Sequence, residues 1–577
     1  MALILGCLLG ACGDDDGPPG VAMGDAGVDG AADAGPDLAS DQGAAPDGGP
    51  AFSLAIAWSS CSLITEGTDA RAECATVEVP LDWEAPEGET ITLFVKRHRG
   101  TPGAGQTFFL TGGPGQTSAD LEPLVEQLIT FDAERSYTLL DHRGVGRSTR
   151  LRCPSSEGLE SPNGPGLGEG EVDACVAELA ETWSDAQLAA FSSSNAARDL
   201  GELIAFVREP GEEVTLWGGS YGTHWMERYL ARYADQPSAV VFSAIALDVD
   251  LLSVDRYVDD LSRRWLDACD ADAACGARFQ RAFARSAREV VEEALGGADA
   301  ALCAEMEALE LSTDVLKPFF GQLFNDRQGR SLFLPLAYRL ARCAPEDVRA
   351  MEQVIEALEP PPGPPALPFG IRNWGFVLSE NIAVSELTRE RARADVESDY
   401  AEAIAVQGPT PRLMRSKEIW PRYDAPPFAS SDYAGPMLLL HGEYDFLPPE
   451  VYTRTVDHYL ARNPRADFVR LPGAPHSLES PTEAGVNCGL SLVITRLLDP
   501  EAPVEDCASR VLPLAFAPDA PVSFAVFGTS DPWDGVPLGS GARLGGERAE
   551  IVVRRFEVGL PTPPFAPAYG WPSLRLR

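Results

Sequence analysis

Seven residues near the middle of the chain, Trp217-Gly218-Gly219-Ser220-Tyr221-Gly222-Thr223, constrain the fold more than any other stretch. A β-branched and aromatic run leads into them and a helical pattern follows over 224–234, so the chain passes from strand to helix within one tight turn. Glycines two positions either side of Ser220 remove side chains that would collide with the strand or the helix. The Ser220 hydroxyl is left above the sheet edge at a helix N-terminus, whose amides favour negative charge.

The same alternation extends from Ala75 onward and predicts an α/β protein with a mainly parallel sheet. Strands are expected over 91–97, 107–110, 137–140, 214–217, 240–246, 437–440 and 467–471, with helices over 121–131, 196–208 and 224–234. Residues 247–436 are mostly helical, with a proline-rich break at 359–368, and read as a lid or cap inserted into one core. That core comprises 53–246 and 437–510. Residues 511–577 form an appendage in which 522–527 and 550–556 read as extra strands.

The first dozen residues contain a short apolar run and then Leu9-Gly10-Ala11-Cys12. They read as a signal peptide ending in a bacterial lipobox, with Cys12 as the lipidated residue; the alternative is a plain secretory signal with an incidental cysteine and a secreted protein. Residues 13–52 are Asp, Gly, Ala and Pro, with nine aspartates and no basic residue, too polar to fold, and read as a tether. No run of about 20 apolar residues follows, so the membrane is reached only through the lipid anchor. With 46 Lys and Arg against 87 Asp and Glu, the formal charge of −41 excludes a nucleic-acid partner, which needs a basic face. The ten remaining cysteines fall as neighbours along the chain, and an even number in an exported protein suggests disulfides; sequence alone leaves their connectivity open, with the local pairs 61–74, 153–175, 269–275, 303–343 and 488–507 as the hypothesis. None has the spacing of a structural zinc site.

A serine hydroxyl needs a general base, itself oriented by a third group. Of the six histidines, His476 follows the last expected core strand in Leu471-Pro472-Gly473-Ala474-Pro475-His476, where a base belongs. Asp445, after the strand 437–440, is the matching acid, with Asp248 as its rival. The order Ser220, Asp445, His476 is that of α/β hydrolases. The turn Thr111-Gly112-Gly113-Pro114-Gly115 and the residue after the nucleophile supply two oxyanion donors, the amides of Gly113 and Tyr221. His224 and His441 read as structural. In 141–148, Asp141 and Arg143 read as braces of the floor, because no phosphate-loop pattern is present.

Together the stretch 74–83, the glycine turn, Asp141-His142-Arg143-Gly144-Val145-Gly146-Arg147-Ser148, the elbow and the Asp445 and His476 loops resemble the prolyl iminopeptidase and tripeptidyl aminopeptidase family of α/β hydrolases, in its secreted bacterial branch. The resemblance covers about 58–507 and implies cleavage of short amino-terminal units through an acyl-enzyme, with no metal or cofactor. It implies short peptides with a free amino terminus as substrates and a helical cap over the site. Cys488 and Cys507 fall where the branch carries a similar pair. Two departures stand out. Thr111 replaces the histidine that opens the family's turn, and Leu378-Ser379-Glu380-Asn381-Ile382, where Glu380 would receive the substrate ammonium, lacks the family's neighbouring cysteine. Acyl esters are the alternative substrates, and an inactive surface-binding lipoprotein is the alternative of another class. Cells fed tritiated palmitate are expected to label the wild-type protein and not Cys12→Ala; equal labelling of both would exclude the lipobox.

Overall fold

Strands buried on both faces are mostly apolar runs, whereas a strand with one wet face alternates. Both kinds occur in the computed structural model, which describes residues 52–537 apart from 158–160, 162–165, 298–299, 301, 359–368, 408–409 and 427–429. The signal, the tether, and the expected strand at 550–556 lie outside the described residues. Strands β1 (Ser59–Cys61), β2 (Ala72–Pro80), β3 (Thr90–His98), β4 (Gln106–Leu110), β5 (Ser136–Leu140), β6 (Val214–Gly219), β7 (Ala239–Ser243), β8 (Met437–Gly442) and β9 (Ala466–Leu471) form one sheet. Their order is β1-β2-β3-β5-β4-β6-β7-β8-β9. β1 to β3 run antiparallel, β3 pairs antiparallel with β5, and β4 to β9 are parallel. β4, β7 and β8 are buried along their whole length, while β2 alternates buried and exposed positions over 75–79.

All seven strands expected from sequence are present, and β1 and β2 are added to them. The strand expected over 240–246 stops at Ser243 because Ala244 turns the backbone to φ 51°. Between β7 and β8 the chain is helical among the described residues, from Val254–Ala271 to Thr410–Ile419. One element of the appendage is corrected. Residues 520–527 are a helix, Ala520–Phe527, and not a strand. The Asp519 carboxylate caps it by accepting from Val522 N at 2.9 Å, Pro521 sits in its first turn and Gly528, at φ 68°, ends it. These end signals outweigh the β-branched content. The appendage lies against the inserted helices: Trp533 meets Tyr338 edge-on at 5.5 Å, and Arg339 Nε donates to Pro532 O at 2.7 Å.

Five disulfides form, Cys61–Cys74, Cys153–Cys175, Cys269–Cys275, Cys303–Cys343 and Cys488–Cys507, and fit an oxidising compartment outside the cytoplasm. Among the described residues no helix is long and apolar enough to cross a membrane. Beneath the sheet's carboxyl-terminal edge, Arg143 is wholly buried. Its Nε and Nη2 donate to the two oxygens of Asp199 at 2.7 and 2.6 Å, and its Nη1 donates to Leu81 O and Ala190 O. Trp83 Nε1 donates to the same carboxylate at 2.8 Å. Every charge in this knot has a partner, which is what makes burial of an ion pair tolerable. Asp199→Ala would strand the guanidinium. The expected loss is about 3 to 5 kcal/mol in urea unfolding, and a loss below about 1 kcal/mol would show the knot to be dispensable.

Candidate active site

The elbow is visible in the backbone. Ser220 links β6 to the helix Tyr221–Tyr233 at φ 54° and ψ −123°, a region that non-glycine residues rarely occupy. A Cβ on Gly218 would come within 2.6 Å of Gly222 O, and one on Gly222 within 2.2 Å of Leu110 O, so both glycines are required by contact. The second contact also seats the elbow helix on the end of β4, where the Thr111–Gly115 turn begins. Gly113, at φ 110°, has no room for a side chain, since its Cβ would meet Gly115 N at 2.7 Å. Tyr221 opens the helix, so its N–H is one of the first-turn donors without an intrahelical acceptor.

Neighbouring strand ends are tied in series along this edge. Ser220 N donates to Ser243 O at 2.9 Å, Ala244 N to Leu440 O at 3.0 Å and Tyr444 N to Ala474 O at 2.9 Å. Asp445 and His476 hang from the far end of the series. His476 Nδ1 lies 2.8 Å from both Asp445 oxygens, both side chains are buried, and Phe446 lies against the imidazole at 4.5 Å. With Nδ1–H given to the carboxylate, Nε2 is the ring's basic nitrogen. Burial works against a charge on Asp445, but His476, His441 and the Leu447 amide outweigh it and hold the carboxyl below its ordinary value. Asp248, the rival acid, instead pairs with Arg389 and Arg454. Ser220 is wholly buried, and its Oγ makes no hydrogen bond; contacts of this kind are often loose before substrate arrives.

A strained serine elbow at the carboxyl edge of a parallel sheet, followed in chain order by an acid and a histidine on later strand ends, decides the architecture. The chain has the α/β-hydrolase fold. No family model matches it. Over 259 residues it is 25% identical to tripeptidyl aminopeptidase of Streptomyces lividans, spanning 40% of this chain and 47% of that protein. A stretch of 116 residues is 37% identical to carboxylesterase B of Mycobacterium tuberculosis, 18% of this chain and 22% of that one. The chain therefore matches less than half the length of these relatives. Proline iminopeptidase of Mycobacterium smegmatis is similar to it at 14% identity, with 74% and 94% of the two chains covered and a TM-score of 0.29; sheet order and elbow geometry carry the fold.

Of the other residues singled out from sequence, Asp141 ties the segment after the glycine turn to its own loop. Its Oδ1 accepts from Ser118 N and Oγ, and its Oδ2 from Arg147 N. His441 accepts from Ile245 N at Nδ1 and donates from Nε2 to Leu447 O, which joins β7 to the Asp445 loop. Glu380, to which the resemblance gives the substrate ammonium, lies in the inserted segment. Its side chain is fully buried in the helix Phe376–Glu386 and forms an ion pair with Arg412 Nε at 2.8 Å. The carboxylate therefore has a guanidinium partner within the chain.

The sequence reading missed the part of the inserted segment that lies on the glycine-rich loops. Gly375 N donates to Gly115 O at 2.8 Å, Gly146 N donates to Asn373 O at 3.1 Å and Trp374 packs on Gly113. It also missed a buried network behind the elbow. His142 Nδ1 donates to Arg143 O at 2.7 Å, so its Nε2 accepts from Tyr221 Oη at 3.1 Å. Ser193 Oγ is 2.8 Å from the same hydroxyl. These residues are too far apart in the chain for any local pattern to group them. Burial pushes the His142 imidazole down to about 4. Its unfolded value is near 6.5, so the unfolded chain binds more protons between those limits. The stabilising contribution is complete above about 6.5 and disappears as pH falls towards 4. The stability difference between wild type and His142→Gln is expected to shrink over that window in denaturant titrations; a difference constant with pH would mean that His142 is not held neutral.

Proposed function

We propose that the chain is an exported serine hydrolase, carried by Cys12 as a lipid anchor, that releases short amino-terminal units from peptides through an acyl-enzyme. The observation that supports it best is the buried Asp445–His476 pair at 2.8 Å, on the same sheet edge as the strained Ser220. Ser220 Oγ attacks the carbonyl while His476 Nε2 takes its proton. Asp445 keeps the imidazole in the tautomer with Nδ1–H and stabilises the imidazolium as it forms. The amides of Gly113 and Tyr221 bind the oxygen of the tetrahedral intermediate. His476 then returns the proton to the leaving amine, and water repeats the sequence to release the acyl group.

The peptidase reading draws on the match to tripeptidyl aminopeptidase and on the family motifs. One observation favours a second reading. Glu380 is neutralised by Arg412, so an ammonium group lacks the receptor the family pattern offers, and an ester with no charge at that end meets no such deficit. The match to carboxylesterase B points the same way.

Aminoacyl and tripeptidyl anilides run beside short acyl esters separate the two. Wild type is expected to turn over the anilides and take a fluorophosphonate label. Ser220→Ala should lose the label and about 10⁴-fold or more in kcat. Turnover of esters alone, indifferent to a free amino terminus, would replace the peptidase reading with the esterase one. An unlabelled, inactive wild type would leave the surface-binding lipoprotein.

A further inference from the structure

The oxyanion donor of Tyr221 is a backbone group, so its direction depends on whatever holds the first turn of the elbow helix. Backbone strain at Ser220 makes that turn a poor place for slack. Two sets of side chains converge on it. From the β5 loop, neutral His142 accepts from Tyr221 Oη at 3.1 Å while its other nitrogen is fixed on Arg143 O, and Trp225 meets the imidazole edge-on at 4.6 Å. From the inserted segment comes Glu386, the last residue of the helix Phe376–Glu386, with its side chain 1% exposed. Its Oε2 accepts from His224 Nε2 at 3.1 Å, and its Oε1 accepts from Tyr423 Oη at 2.5 Å and from Ser193 N at 2.9 Å. Ser193 Oγ closes the circuit on Tyr221 Oη at 2.8 Å. His224 and Tyr221 both belong to the first turn, and their rings stack at 5.8 Å.

We propose that His142 and Glu386 are positioning residues, which hold the Tyr221 amide on the oxyanion through Tyr221 Oη, Ser193 and His224 and so tie the state of the inserted segment to the donor. Burial opposes a charge on Glu386, yet its bonds to His224, Tyr423 and Ser193 hold the carboxyl down to about 2, so it remains an acceptor throughout the working range. No substrate contact is asked of either residue. Their effect belongs to kcat, because the amide does its work when charge develops on the oxygen. Small misplacements of reacting groups are costly for the same reason.

The proposal rests on the serine-hydrolase reading, and the test separates the two. The full-length chain and its variants are titrated with a fluorophosphonate, and kcat and KM for a short acyl p-nitrophenyl ester are expressed per labelled site, so that misfolded protein does not count. Tyr221→Phe, His142→Leu and Glu386→Ala are expected to lose about tenfold in kcat with KM within twofold. His142→Gln, which keeps an acceptor for Tyr221 Oη, should stay within threefold of wild type. Wild-type kcat per site in Tyr221→Phe, a loss confined to KM, or a His142→Gln as impaired as His142→Leu would overturn the positioning role and leave the hydrolase reading standing. A wild type that takes neither probe nor ester would overturn both.

Discussion

Everything at the site depends on one residue held where it would not rest by itself. Ser220 at φ 54° and ψ −123° costs on the order of 1 to 3 kcal/mol relative to a relaxed backbone. It persists because β6 fixes one side of it, the helix Tyr221–Tyr233 fixes the other, and Gly218 and Gly222 let those two elements and β4 close to contact. The return is geometric. One turn presents a side-chain hydroxyl and, in the following residue, a backbone donor to the same space. Later parts of the chain then have only to bring Asp445 and His476 to the same edge, which β8 does by pairing in parallel with β7 and β9 by pairing in parallel with β8.

The chain is strongly acidic, and several of the buried carboxylates around this edge have partners of their own. Asp445 is held by His476 and the Leu447 amide, Asp141 by Ser118 and Arg147, Asp199 by Arg143 and Trp83, and Glu386 by His224, Tyr423 and Ser193. Glu380 belongs to the same pattern, with Arg412. A buried charge without a partner is among the most expensive things a fold can contain, and each of these acids has a charged or hydrogen-bonding partner.

Seven of the nine strands and the order of serine, acid and histidine were legible because each is written locally. A strand buried on both faces is an apolar run, an elbow is a pair of glycines around a serine, and each partner follows its strand directly. β1 and β2 went unread: β1 is only three residues long, and β2 alternates in part and carries charged positions. The helix Ala520–Phe527 was misread because Val522, Phe524, Val526 and Phe527 look like a strand when the Asp519 cap and Gly528 are left out of account. Glu380 was placed by resemblance, and the partner that alters its meaning, Arg412, is 32 residues further on.

By itself the sequence determined the strand-to-helix turn at Ser220, the alternation that makes a parallel α/β sheet, and the presence of Asp445 and His476 after later strands. These are decided by steric rules and burial patterns that act within a few residues. Only the tertiary structure decided which acid meets the histidine, what neutralises Glu380, how residues 373–375 lie on the glycine turn and how His142 and Glu386 reach the first turn of the elbow helix. Those are contacts between segments far apart in the chain, and the partner of a buried polar group is chosen by what packing brings within about 3 Å of it, which no local pattern records.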